Sequence, residues 1–263
     1  MMLAGFDRRD GGMLLSLFRM ALSDRFLGSS LGLVWAVLSP LMLMGIFVFV
    51  FTFVFPSRLP GREGALPFVI WLISGYGPWL GLSEGLSSAT SSVTSNAGIV
   101  KNIAFKSELL PVVGAMLGLV PLGVGLCLVA LLKVISGEGV SWTVVALPVV
   151  IALQLLFVSG IGLFLSALNV FVRDTALALP SVLTMLLFAS PIFYPLSAYP
   201  AFVQTILIFN PFYVIAECYR APLLAGNFPP LWMIAYLTVV SAILIAAGLW
   251  WFRRLKSFFD TRL

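Results

Sequence analysis

Long stretches almost free of charge constrain this 263-residue chain more than any other feature. A helix needs about 20 apolar residues to cross bilayer hydrocarbon. Six stretches reach about that length: 31–55, 66–90, 109–133, 142–170, 175–193 and 231–252. Lipid offers no hydrogen-bond partner, so a spanning backbone must satisfy itself. The short alternating segments of a membrane β-barrel are absent, which leaves helices. The expected fold is an all-α membrane protein with six transmembrane helices in one domain, 1–263. Composition agrees: 61% of residues are hydrophobic and 10% charged, where soluble domains run near 45–50% and about 25%.

The net charge is +5, and its distribution matters more than its size. With the N-terminus inside, Arg8, Arg9, Arg19, Arg25, Lys101, Lys106, Arg173, Arg253, Arg254, Lys256 and Arg262 fall on inner segments. Arg58, Arg62, Lys133 and Arg220 fall on outer ones. Basic residues hold the cytoplasmic side, so both termini are expected there. Topology thus accounts for the basic balance, and no nucleic-acid partner is expected. The charged Asp7–Asp10 start and the long first apolar run predict no cleavable signal peptide.

Two segments lie outside the spans. Over 12–30, Leu14, Leu17, Phe18, Ala21, Leu22 and Phe26 share one helical face, opposite Ser16, Arg19, Ser23 and Asp24. That pattern predicts an amphipathic helix in the headgroup plane, against membrane lipid. A helix packed on a partner protein is the alternative. The apolar segment 195–226 is broken by Pro195, Pro200, Pro211 and Pro222. Proline cannot continue a helix interior. Two short helices, 200–209 and 211–224, are therefore expected to fold back as an outer re-entrant hairpin.

Several functions lack their residues. Histidine is absent, Cys127 and Cys218 have no CxxC partner, and no phosphate-cradling G-x-x-x-x-G-K-[ST] loop occurs. No metal, cofactor, disulfide or catalytic role is expected, and both cysteines read as packing residues. A proton- or ion-coupled carrier needs acids within the spans. Glu84 is the only one, and it lies near an inner end. Uphill transport would have to draw its energy from another subunit.

Ordered motifs resemble a known family. Arg25-Phe-Leu-Gly-Ser-Ser-Leu-Gly-Leu-Val-Trp35 with Pro40, Asn102 to Pro111, Val172-Arg173-Asp174, Ser190-Pro-Ile-Phe-Tyr-Pro195 and Asn210-Pro211 are similar to segments of type-2 ABC transporter permeases. Within that family they resemble the branch that exports O-antigen, capsule or teichoic-acid polysaccharides. Phe105-Lys106 departs from the Phe-Pro that the family often has there. The resemblance implies two copies of the chain paired with two ATP-binding cassette ATPase subunits, which hold ATP and Mg. It implies a lipid-linked polysaccharide as cargo and the bacterial inner (cytoplasmic) membrane as location. The rival readings are a type-2 exporter of drugs or lipids, a polytopic enzyme acting on lipid-linked sugars, and an ion channel. The enzyme would need paired acids or a metal motif, and the channel a selectivity ring.

The candidate sites follow. Ile99, Lys101, Ile103, Phe105, Lys106 and Glu108 form an inner loop whose apolar face could seat in a groove on the ATPase. Positive-inside retention is the plainer reading. Arg173 and Asp174 are a second ATPase contact or an anchor and helix cap. Ser83, Glu84 and Ser87, with Ser88, Ser91 and Ser92, make a polar stripe that lines a wet pathway or glues helices together. Trp35, Phe68, Trp71, Tyr76 and Trp79 could offer flat surfaces to sugar rings, or simply pack. Phe193, Tyr194, Glu217 and Arg220 are candidates for an outer gate, the last two also as a local ion pair. The first and fifth spans are expected to meet their copies, with the pathway between the protomers.

Overall fold

The computed structural model describes residues 8–25, 28–54, 64–102, 105–137, 139, 141–259 and 262, without the side chains of Arg8, Arg9 and Asn102. Among the described residues there are helices and no strand. In order they are α1 (Arg8–Asp24), α2 (Val34–Phe49), α3 (Leu66–Ser95), α4 (Ala97–Asn102), α5 (Leu109–Leu117), α6 (Leu119–Ile135), α7 (Leu147–Phe171), α8 (Asp174–Ala189), α9 (Ala201–Leu207), α10 (Pro211–Arg220) and α11 (Leu231–Lys256). Among the described residues, five continuous helical runs are long and apolar enough to cross a membrane: Val34–Val54, Leu66–Ser95, Leu109–Ile135, Trp142–Phe171 and Leu231–Lys256. The third joins α5 to α6 through Gly118, which keeps a helical backbone.

Several boundaries differ from expectation: the first run starts at Val34 rather than at residue 31, and the second and last runs extend to Ser95 and Lys256. α1 starts at Arg8 and stops at Asp24, short of residue 30. Gly28 (φ 79°), like Gly32 (φ 50°), adopts a left-handed backbone that suits glycine and that a helix running on to residue 30 could not contain. α8 stops at Ala189, four residues before the expected 193. Pro191 disfavours helical backbone at the residue before it, and Ser190 is extended at φ −101°, ψ 148°. The 16 residues of α8 reach only about 24 Å at 1.5 Å per residue. The expected hairpin corresponds to two helical segments, Ala201–Leu207 and Pro211–Ala225, bent by 83°. The Asn210 side chain caps the second by accepting from the Phe212 N–H at 2.9 Å.

α3 lies at the centre of the bundle. In its most apolar window 72% of residues are buried, against 17% in the first run. Glycines allow that crowding. A Cβ on Gly118 would sit 2.0 Å from the Gly81 carbonyl oxygen, so α3 and the α5–α6 run meet backbone to backbone. A Cβ on Gly248 would sit 2.4 Å from the Gly160 carbonyl oxygen, where α11 lies along α7. Small residues let helices approach closely, which drives their packing where apolar burial cannot. The main core gathers around Leu72, Ile73, Leu82, Leu122 and Phe157. A second, built on Val93, Leu163, Ala167, Phe252 and Phe259, lies near the α4 end of the bundle. The first run, α8 and α11 are thinly covered: Phe49, Phe53, Leu177, Met185 and Ile243 are all exposed.

Candidate functional site

The apolar face read from the sequence decides where α1 sits. Leu14, Leu17, Phe18, Ala21 and Leu22 are half-buried, and α1 lies against α5 of its own chain. Ion pairs hold both of its ends. Near the start, Lys106 Nζ meets Asp10 Oδ2 at 2.5 Å. Just past the end, Arg25 Nη1 donates to Glu84 Oε1 of α3. Ser88 Oγ donates to the same oxygen at 2.8 Å. The hydrogen bond and counter-charge of Glu84 hold the Arg25 guanidinium above its ordinary pKa.

Two open clefts flank this pair. The larger, about 600 Å³, runs between α1, α3 and α5, with Asp24, Ser87, Ser88, Ser91, Ser92 and Asn96 on its wall. The smaller, about 470 Å³, takes in Ser29, Trp35, Ser39 and Ser83. Arg25, Glu84, Ser87 and Leu117 line both. The clefts are thus two chambers of one groove that meet at the Arg25–Glu84 pair, with serines set among apolar lining residues. Of the eight residues read as pathway candidates, Trp35, Ser83, Glu84 and Ser87 line it. Phe68, Trp71, Tyr76 and Trp79 do not: all four are buried in the main core. α3 is central, so its aromatic half packs against its own chain on every side.

The inner loop is tied down at its far end. Glu108 is buried and accepts from Lys256 Nζ at 3.1 Å, with Arg253 Nε at 3.5 Å. Lys106 is bound to Asp10, while Ile99 and Phe105 are half-buried and Lys101 is exposed. Val100 packs on the second core. Ile103 lies outside the described residues. Arg173 and Asp174 are exposed. Asp174 stands in the first turn of α8 rather than at its cap, and the Asn169 side chain instead accepts from the Ala176 N–H at 3.2 Å. The acid still suits the positive end of that helix.

At the opposite end the expected Glu217–Arg220 pair forms, at 2.9 Å. Arg220 is buried and does more than pair. It donates to the carbonyl oxygens of Ile192 at 2.7 Å and Pro191 at 3.3 Å, and its guanidinium lies 3.9 Å from the Trp71 ring centroid. It therefore joins α10, the turn after α8, and α3. Phe193 is buried in that turn, 4.5 Å from the Phe47 ring and 5.3 Å from Tyr76. Tyr194 is exposed. Lys133 Nζ donates to the Leu223 carbonyl at 2.9 Å, and Thr143 Oγ1 to that of Pro222 at 3.3 Å, holding the last turn of the bent pair.

Sequence reading left Asp10, Arg25, Asn169, Arg253 and Lys256 out of the site. Their partners lie as far as 148 residues away, and nothing in a single sequence pairs them. Arg25 carried a signal of another kind, since it opens the first of the ordered motifs.

A bundle of long apolar helices, with a tethered amphipathic helix at one end and a bent helical pair at the other, is a multi-pass membrane protein. Residues 14–224 match the family described as ABC-2 type transporter, and the chain belongs to it. It is similar to the O-antigen export system permease protein RfbA of Myxococcus xanthus, with 29% identity over 239 residues and 90% of each chain covered. A protein of the same name from Klebsiella pneumoniae is 25% identical over 237 residues, covering 89% of this chain and 88% of its own. The polysialic acid transport protein KpsM of Escherichia coli is 24% identical over 239 residues, covering 89% and 90%.

Proposed function

We propose that this chain is the permease subunit of an ABC exporter that moves lipid-linked polysaccharide across the bacterial inner membrane. The names of its relatives point to that cargo class. The observation that carries the reading is the serine-lined groove at the α1 end of an otherwise apolar bundle. A polar passage costs stability in a membrane protein and implies polar cargo. Trp35, Ser83, Glu84 and Ser87 would touch it. Energy comes from ATP and Mg in two separate cassette subunits, which press on the loop of Ile99, Lys101, Ile103 and Phe105 and on exposed Arg173 and Asp174. Both termini and this loop then lie in the cytoplasm.

The ion pairs supply the linkage. A push on the loop passes through Lys106 to α1 and through Glu108 to α11. From α1 it reaches α3 at Arg25–Glu84. The exposed faces of α2 and α8 suit a second copy, with the passage between protomers. Tyr194 and Glu217 would stand at its outer mouth, with buried Phe193 and Arg220 holding the turn behind them. Deleting the gene tests the reading: surface glycan should disappear, lipid-linked polymer should build up inside, and complementation should reverse both. Unchanged surface glycan and no internal polymer would contradict it.

A further inference from the structure

We infer that the saccharide passed by this groove is an uncharged chain rather than a polyanion. The inference rests on the polysaccharide reading above and adds the charge class of the cargo. It follows from what the groove walls carry. Among the described lining residues of the two chambers, Arg25 is the one cation, and it is committed to Glu84. Asp24 adds a second carboxylate on the α1 side. The described lining therefore carries two acids against one base. A polyanion threading between these residues would meet like charge along the wall of the groove. A passage built for a chain with an acid on every sugar would instead be expected to show arginines and lysines that are not already neutralised.

Hydrogen-bond polarity points the same way. Ser88 spends its proton on Glu84, Ser91 on the Ser87 carbonyl oxygen at 3.2 Å, and Ser92 on that of Ala89 at 2.7 Å. These three hydroxyls are left with lone pairs, so the strip of wall they share with Glu84 accepts. Sugar hydroxyls can donate to such a wall, whereas ionised carboxylates and phosphodiesters can only accept. Trp35, partly exposed beside Ser39 in the smaller chamber, adds a flat apolar face of the kind a sugar ring covers.

The test uses the full chain reconstituted with its ATPase subunit in sealed vesicles. Two cargoes are supplied on one polyprenyl diphosphate carrier: an oligoglucose, and an oligosialic acid of equal length. The oligoglucose should move about tenfold faster or more. Equal or faster movement of the oligosialic acid overturns the inference and leaves the polysaccharide reading standing. Movement of neither, with ATP turnover intact, overturns the polysaccharide reading and this inference with it. A second comparison locates the selectivity. Asp24→Asn with Glu84→Gln should cut the neutral-to-anionic ratio several-fold. An unchanged ratio in a variant with the elution profile of the parent protein removes the assignment to this groove.

Discussion

Lys256 Nζ donates to the Glu108 carboxylate at 3.1 Å, across 148 residues of sequence. This bond, with Arg253 at 3.5 Å, closes the inner loop onto the end of α11. Glu108 is buried while both cations are partly exposed, so the cluster should contribute between a surface pair and a buried one. Glu108→Ala should cost about 1–2 kcal/mol, read as a lower Tm in detergent. Lys256→Ala should cost less, because Arg253 remains. A Glu108→Ala protein that melts with the parent would show that the cluster is incidental.

Phe105 stands half-buried in the loop, just before the anchored Lys106 and Glu108. Phe105→Asp should leave the bundle folded and abolish cassette-stimulated ATP hydrolysis together with export. Both are measured on the purified complex. Normal coupling in this variant would move the ATPase contact elsewhere, with Arg173 and Asp174 the next candidates.

The helices were legible because charge-free length and proline position are local signals. The bent pair is an example: Pro200 and Pro211 each stand just before or at the start of a helix, where proline is tolerated. The end of α8 needed the weaker effect of Pro191 on Ser190, and the charge-free run continued past it. Within the site, the serines of α3 and the face of α1 follow from helical period alone. Which aromatics face the groove does not. Trp35 and Trp79 are equally apolar, and only packing puts one at a cleft and the other in the core. The tethers from Lys106 to Asp10 and from Arg25 to Glu84 join residues 96 and 59 apart, beyond any local pattern.

Gly75 and Gly123 give opposite expectations for one substitution. A Cβ at Gly75 would sit 2.3 Å from Arg220 Nη2, whereas nothing lies within 4 Å at Gly123. Gly75→Ala should destabilise by about 1–3 kcal/mol through overpacking. Gly123→Ala, inside α6, should stabilise by about 0.5–1 kcal/mol through helix propensity. Thermal unfolding of the two variants side by side checks both signs.

Leu177 on α8 and Ile243 on α11 are both exposed in the single chain. If α8 meets its copy, Leu177→Cys should form disulfide-linked dimers under mild oxidation and Ile243→Cys should not. Cys127, which is exposed, is replaced by serine in both. Non-reducing electrophoresis of membranes gives the answer. Dimers through position 243 alone would place the protomer interface on the other side of the bundle.

Vesicles holding this chain with and without its cassette subunit probe the proposed energy coupling most directly. The readout is ATP-dependent appearance of lipid-linked glycan on the far side of the bilayer. The expected result is transport with both subunits and ATP, and none when the cassette subunit or nucleotide is left out. Transport by this chain alone, at the rate of the full complex, would contradict it.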